Sequence, residues 1–335
     1  MRVRFPVISL GLGAVFLAAL AGANLRAPAG QAVDWRVVPD EEPEQGALVE
    51  LEELRRQLDE IEEALPAARS RALADLQVPS AVELCGQIVP LDRPEVREAL
   101  AYELLLAVGR PLMPMLWERR APSLLPQIET RLAAADLPDD IKYLAMVESD
   151  LRLTVRSPAG AVGLWQFMRD TGRRYGLRVD RYIDERMDPD LSTDAAVAYL
   201  KDLHDRFGDW FVAFAAYNAG ETRVQNALDE QSPPSYFDMY LPYETRRYVH
   251  RIVVAKLLHE NPATYGLATM SPLHVPHYKT VEVQVRPARA DLRVLAREHG
   301  LGYASLRLAN PKLLGPWLPR GTHRLRVPDD VPPAS

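Results

Sequence analysis

Cysteine is almost missing: the 335 residues hold one, Cys85. An internal disulfide is thereby excluded, and the neighbours of Cys85 suggest ordinary burial in a helical region. No Cys/His spacing of a metal site and no glycine-rich phosphate loop occur, so no metal, nucleotide or other cofactor is expected. Positive charge is in deficit, with 40 Lys and Arg against 46 Asp and Glu and a formal net charge of -6. That balance argues against nucleic acid as a partner, because phosphate binding needs a basic face. It does not forbid a sugar polymer bound through neutral groups. Hydrophobic residues make up 47% of the chain, enough for one sizeable core and smaller modules.

The ends are patterned differently from the middle. Met1-Arg2-Val3-Arg4 and then Phe5 to Ala23 form a basic start and a long apolar stretch closing on Ala21-Gly22-Ala23. Residues 1–23 are expected to be a cleaved signal peptide of an exported protein. The alternative is an uncleaved anchor, which would associate the chain with a membrane. No cysteine lies nearby to be acylated, so a lipoprotein is not expected. Residues 24–46, with Pro39-Asp40-Glu41-Glu42-Pro43-Glu44, read as an acidic linker. Leu51, Leu54, Leu58, Ile61 and Leu65 give residues 47–78 the stripe of an amphipathic helix. Residues 79–136 read as a helical N-terminal extension, helical from Val82 to Ala135, with one helix opening at Pro94 and another running from Pro122 to Ala134.

Chemistry concentrates in the next segment. Glu148 closes the helix-like run Pro138 to Val147 and shares helical spacing with Ile141, Leu144 and Ala145. Desolvation on that apolar face and the negative end of the helix dipole both oppose the anion, which raises the pKa as a general acid requires. The bland alternative is a solvated or capping glutamate. Ser157-Pro158-Ala159-Gly160-Ala161-Val162-Gly163-Leu164-Trp165-Gln166 follows, its glycines and proline forcing turns. Trp165 there would offer a flat apolar surface, and Gln166 an amide for a sugar hydroxyl or acetamido group. Ala216-Tyr217-Asn218-Ala219-Gly220 ends an apolar helix, and Glu244-Thr245-Arg246-Arg247-Tyr248-Val249 opens another with Glu244 and Tyr248 on one face.

In order and spacing these four runs resemble the soluble-lytic-transglycosylase (SLT) family of peptidoglycan-cleaving enzymes, most closely its membrane-bound lytic murein transglycosylase D branch. Two departures stand out. The chain reads Gly-Leu-Trp-Gln where many members read Gly-Leu-Met-Gln. It also reads Ser149-Asp150-Leu151-Arg152-Leu153 where Ser-Gly-Phe-Asn-Pro is usual. The resemblance implies a mainly α fold, with a lysozyme-like (goose-type/SLT) catalytic domain over 137–265. It also implies peptidoglycan glycan strands as partner and the periplasm or cell envelope as location.

A hydrolytic glycosidase usually needs two carboxylates. Asp150 is a poor partner for Glu148, since a helix would point it about 200° away, and Glu244, followed by two arginines, suits a structural role. The resemblance implies a route with one carboxylate. Glu148 protonates the leaving oxygen, then removes the proton of the muramoyl 6-hydroxyl, giving a 1,6-anhydro end. Carried over by position, Ser157 would bond near the acetamido group or Glu148. Gln166 and Asn218 would orient sugar groups, Tyr217 would contact the sugar, and Tyr248 would line the cleft with Glu244 behind it. A goose-type hydrolase and a cell-wall binding protein with a degenerate site are the alternatives.

Toward the C-terminus, Thr280 to Val285 alternates like a strand and Ala290 to His299 is helical. Asn310-Pro311 and a second strand ending at Pro328 follow. The Asn-Pro and the closing strand-Pro resemble the lysin-motif (LysM) module, which binds N-acetylglucosamine polymers. A small α/β cap over 276–330, packed on the catalytic domain, is the equal alternative.

Overall fold

The computed structural model describes residues 76–267, 271 and 277–328. The expected signal or anchor, the acidic linker and the amphipathic helix up to residue 75 lie outside the described residues. Residues 76–78, the end of that expected helix, are not helical.

A small hairpin comes first, β1 (Glu83–Leu84) against β2 (Gln87–Ile88). This corrects the helix expected from Val82: Cys85 and Gly86 take φ of 53° and 73° and turn the chain back. Asp140 pins the turn, accepting from Cys85 N at 2.7 Å and from Lys256 Nζ at 2.8 Å. Cys85 is buried, as expected, and burial pushes its thiol pKa far up.

Helix α1 (Pro94–Gly109) begins at its proline. Helix α2 (Leu112–Ala134) does not begin at Pro122, as the sequence suggests, but runs through Pro122 and Pro126. Each proline removes a helical hydrogen bond. The buried stripe Trp117, Ala121, Leu124, Ile128 and Leu132 extends on both sides of them, and packing that stripe outweighs the local cost. Ser123 and Thr130 hydroxyls also donate to the carbonyls of Arg120 and Pro126, at 2.6 and 2.7 Å.

Helices α3 (Lys142–Ser149), α4 (Arg169–Arg174), α5 (Pro189–Phe207), α6 (Trp210–Ala219), α7 (Glu221–Gln231) and α8 (Tyr243–Glu260) complete the mainly helical body. From Trp210 to Ala216, α6 is buried on every side, as an all-round apolar helix must be. It packs between α5 and α8, while α3 lies against α8 and α2. Glu103 of α1 is buried and bonded by the Arg247 guanidinium of α8, one arm at 3.0 Å. That ion pair clasps the extension to the helix carrying Tyr248.

Beyond residue 276 the chain forms β3 (Tyr278–Asp291), α9 (Leu292–Glu298), α10 (Tyr303–Ala309) and β4 (Trp317–Pro328), with β3 and β4 antiparallel. Helix α10 was not expected. The core of this unit (Val283, Val285, Leu292, Leu306, Leu318, Leu325) also contains Ile183, from the turn before α5. Asp184 N donates to Lys312 O at 2.9 Å and Leu314 N to Tyr182 O at 2.8 Å. Asp188 caps α5 through the Asp190 and Leu191 amides and meets Lys312 Nζ at 2.8 Å. Burial opposes the Asp188 anion, yet the Lys312 charge and these donors hold its pKa below the ordinary range.

Deleting residues 277–335 should therefore lower stability in a urea melt. Exposing Ile183 alone costs roughly 1.5–3 kcal/mol, and Asp188 would lose the Lys312 charge that pairs with it. An unchanged midpoint would mean that the unit contributes nothing to the body it touches.

Candidate active site

The site is built on the end of α3. Ile141, Leu144, Ala145 and Met146 are fully buried, which fixes the helix and brings half-buried Glu148 against α8. The Tyr248 hydroxyl donates to Glu148 Oε1. Desolvation pushes the Glu148 pKa up to about 7, against the Tyr248 hydrogen bond and the Arg251 charge, with a smaller upward push from Glu244. Tyr248 is itself buried, and burial with the Glu148 charge raises its pKa well above the ordinary phenol value. It therefore acts as a neutral donor. The carboxyl is protonated for a substantial fraction of the time near neutral pH, as a general acid must be.

Tyr217 also belongs to this group, since the Glu148 charge contributes to raising its pKa. Its hydroxyl donates to Trp165 O at 2.6 Å and its ring packs on Tyr199, centroids 5.2 Å apart. Asn218 Oδ1 accepts from Thr245 Oγ1 at 3.0 Å, joining the end of α6 to the start of α8. Glu244 is exposed in the first turn of α8, one turn before Tyr248.

The loop before α4 is tied to itself. Ser157 Oγ accepts from Ala161 N at 3.0 Å. Gln166 takes φ of 48° and its amide nitrogen donates to Gly163 O at 2.7 Å and Val155 O at 3.3 Å. Trp165 corrects an expectation. It is fully buried with Nε1 bonded to Thr193 Oγ1 at 3.0 Å, so it is a core residue and offers no surface to a sugar.

Asp150 lies outside the helix. It caps α3 in the left-handed region, φ 53° and ψ 36°, so the helical offset assumed for it does not apply. Its carboxylate accepts from Trp117 Nε1 at 3.0 Å. Arg251 escaped sequence reasoning, although it stands three residues after Tyr248 and donates to Val147 O at 3.4 Å. That spacing was the available signal. Arg251 also lines a 250 Å³ cavity behind α3, together with Trp117, Val147 and Asp150. A larger groove of 740 Å³ runs along Arg174, Tyr199, Gly220, Glu221 and Tyr240. It adjoins the Asn218 end of α6 and is not lined by Glu148.

Residues 128–238 match the family model described as "Transglycosylase SLT domain". The chain carries an SLT domain. Glu148, Ser157, Gln166, Tyr217 and Asn218 lie within the matched SLT residues; Glu244 and Tyr248 follow them, and Trp117 precedes them. Over 137 residues the chain is 35% identical to membrane-bound lytic murein transglycosylase D of Escherichia coli (strain K12), covering 39% of this chain and 30% of that protein. Over 90 residues it is 39% identical to peptidoglycan transglycosylase gp16 of Escherichia phage T7, covering 26% of this chain and 7% of that one. The chain thus spans about a third of the length of the first of these relatives or less. Among solved structures, the 70 kDa soluble lytic transglycosylase of Escherichia coli is matched with a TM-score of 0.38 at 21% identity. That match covers 49% of this chain and 30% of the other.

Proposed function

We propose that this protein is a peptidoglycan lytic transglycosylase, cleaving the β-1,4 bond between N-acetylmuramoyl and N-acetylglucosaminyl residues with Glu148 as its single acid and base. The observation that carries the reading is a desolvated carboxyl with a pKa of about 7, held by a neutral tyrosine hydroxyl inside an SLT domain. The other two carboxylates weighed are poorly suited to a second role, Asp150 being bonded to Trp117 and Glu244 exposed.

In the first step Glu148 gives its proton to the glycosidic oxygen as the C1–O4 bond breaks. In the second the muramoyl O6 attacks C1, and the Glu148 carboxylate takes the proton that O6 loses. A 1,6-anhydro-muramoyl end forms, the acid is regenerated and no water is consumed. The internal nucleophile is already positioned, so a second carboxylate is unnecessary. Tyr248 holds Glu148 in place and stabilises its anion between the steps. Tyr217, Ser157, Gln166 and Asn218 shape the sugar site, and Glu244 supports Tyr248 from the helix start. The basic and apolar residues 1–23 support export to the periplasm or cell envelope, cleaved or retained as a membrane anchor.

Mass spectrometry of digested murein tests the reaction. Anhydro-muropeptides are expected, and reducing, hydrated ends alone would make the enzyme a hydrolase. The pH profile tests the acid. Activity should fall as pH rises through about 7, because the protonated form is lost there. Val147→Thr, which admits water beside the 250 Å³ cavity, should move that alkaline limb toward the ~4.3 of a free glutamate. A limb that stays fixed would show that burial does not tune Glu148.

A further inference from the structure

We propose that Asp150 is a positioning residue, clamped by Trp117 and Arg120 of α2 so that the last turn of α3 presents Glu148 to Tyr248. The inference rests on the function proposed above and adds to it a requirement for residues that precede the SLT match at 128.

Helix α3 spans only Lys142–Ser149, so Glu148 stands in its final turn. Two successive residues without the freedom of glycine then take left-handed conformations, Asp150 at φ 53° and Leu151 at φ 57°. Aspartate tolerates that region and leucine rarely enters it, so the pair must be held by contacts from elsewhere.

Helix α2 supplies two of them from adjacent turns. Trp117 Nε1 donates to Asp150 Oδ1 at 3.0 Å, and Arg120 Nη1 donates to the Asp150 carbonyl at 2.7 Å. Asp150 N closes the helix by donating to Met146 O at 2.9 Å. Arg152 Nε steadies the same turn through Ser149 O at 3.0 Å. Both ends of the Asp150 residue are therefore tied to a helix whose stripe is buried in the core. If the clamp is cut, Asp150 and Leu151 can relax to negative φ. The final turn of α3 then unwinds, and the Glu148 carboxyl leaves its place against Tyr248 and meets water. A displacement of about 1 Å at a reacting group can cost on the order of 100-fold in rate.

The test compares Trp117→Phe, Asp150→Ala and Asp150→Asn with the parent, using initial rates on a soluble muropeptide across pH. Trp117→Phe and Asp150→Ala should lower kcat by about 10-fold or more, leave KM within about twofold, and shift the alkaline limb downward. Asp150→Asn should restore most of the rate, since its amide oxygen accepts from Trp117 and asparagine tolerates the left-handed region. A role in stability alone would lower the melting temperature and leave kcat and the limb of the folded enzyme unchanged. That result in Trp117→Phe and Asp150→Ala would overturn the proposal. An NMR titration of the carbon-13-labelled Glu148 carboxyl reads the same geometry whether or not the parent cleaves murein. Its midpoint should fall in both variants, and a midpoint equal to the parent's would overturn the clamp separately from any failure of the lytic reading.

Discussion

Glu148→Gln should abolish clearing of purified sacculi, a loss of at least about 10²–10⁴-fold, while sacculus binding and the circular-dichroism spectrum stay as in the parent. The amide fills the same space and can still accept from Tyr248, but it cannot give a proton and take one back. The same variant carries a second, opposite signature in stability. The folded pKa of Glu148 is raised from 4.5 to about 7. The native state thus binds more protons than the unfolded state between those values, and parent stability falls as pH rises through that window. Below about pH 4 the penalty is absent, and above about pH 7 it is complete. Glu148→Gln should accordingly match the parent in a urea melt at pH 4 and exceed it at pH 8. Lysis retained by a well-folded variant would remove Glu148 as the acid, and equal stability at both pH values would show that its carboxyl is not desolvated.

Gly163→Ala should be the most damaging single substitution for the fold. A Cβ there would lie 1.8 Å from the Arg186 carbonyl oxygen and 2.7 Å from its carbon, at a φ of 88°. Neither backbone can yield easily. Arg186 is buried and bonded to Asp184 through Nε and Nη2, each at 2.8 Å, and its Nη1 reaches Phe167 O at 3.0 Å. Gly163 in turn receives Gln166 N at 3.2 Å. A loss of more than about 4 kcal/mol, or failure to accumulate soluble protein, is expected. Gly160→Ala is the control, because φ is 89° there but nothing lies within 4 Å of the added carbon. It should cost only backbone strain, roughly 1–2 kcal/mol. Equal melts for the two variants would contradict the close approach of the loop to Arg186.

What could be read from the residues, and what could not, divides on a physical line. The desolvation of Glu148 is legible because a carboxylate on an apolar helical face is anomalous in one dimension as well as three. Tyr217 and Tyr248 stand out through their motifs; Tyr248 bonds Glu148, and the Glu148 charge is felt at Tyr217. Trp165 was misread because a motif gives residue type and not which way the side chain faces; Thr193 offered its indole a buried partner that the local sequence does not announce. Asp150 stands outside the helical offset its spacing suggests, and the donors that hold it come from thirty or more positions earlier in the chain, 33 for Trp117 and 30 for Arg120. The course of α2 through Pro122 and Pro126 was illegible for a related reason, since propensity is local and the packing that overrules it is not. Helix α10 buries only Leu306 and Ala309 and leaves Leu308 81% exposed, too weak a period to see beforehand.

Ile183 and Asp188 bear on how such a protein can be recombined. A boundary drawn at residue 276 looks like a seam between two interchangeable beads, yet the helical body carries one aliphatic side chain and one carboxylate whose complements lie beyond it. A graft of the helical segment onto another protein would arrive with a hydrophobic key and an unpaired anion and no lock for either. An exchange of the terminal unit therefore calls for a replacement that brings a cation to Asp188 and an apolar socket to Ile183.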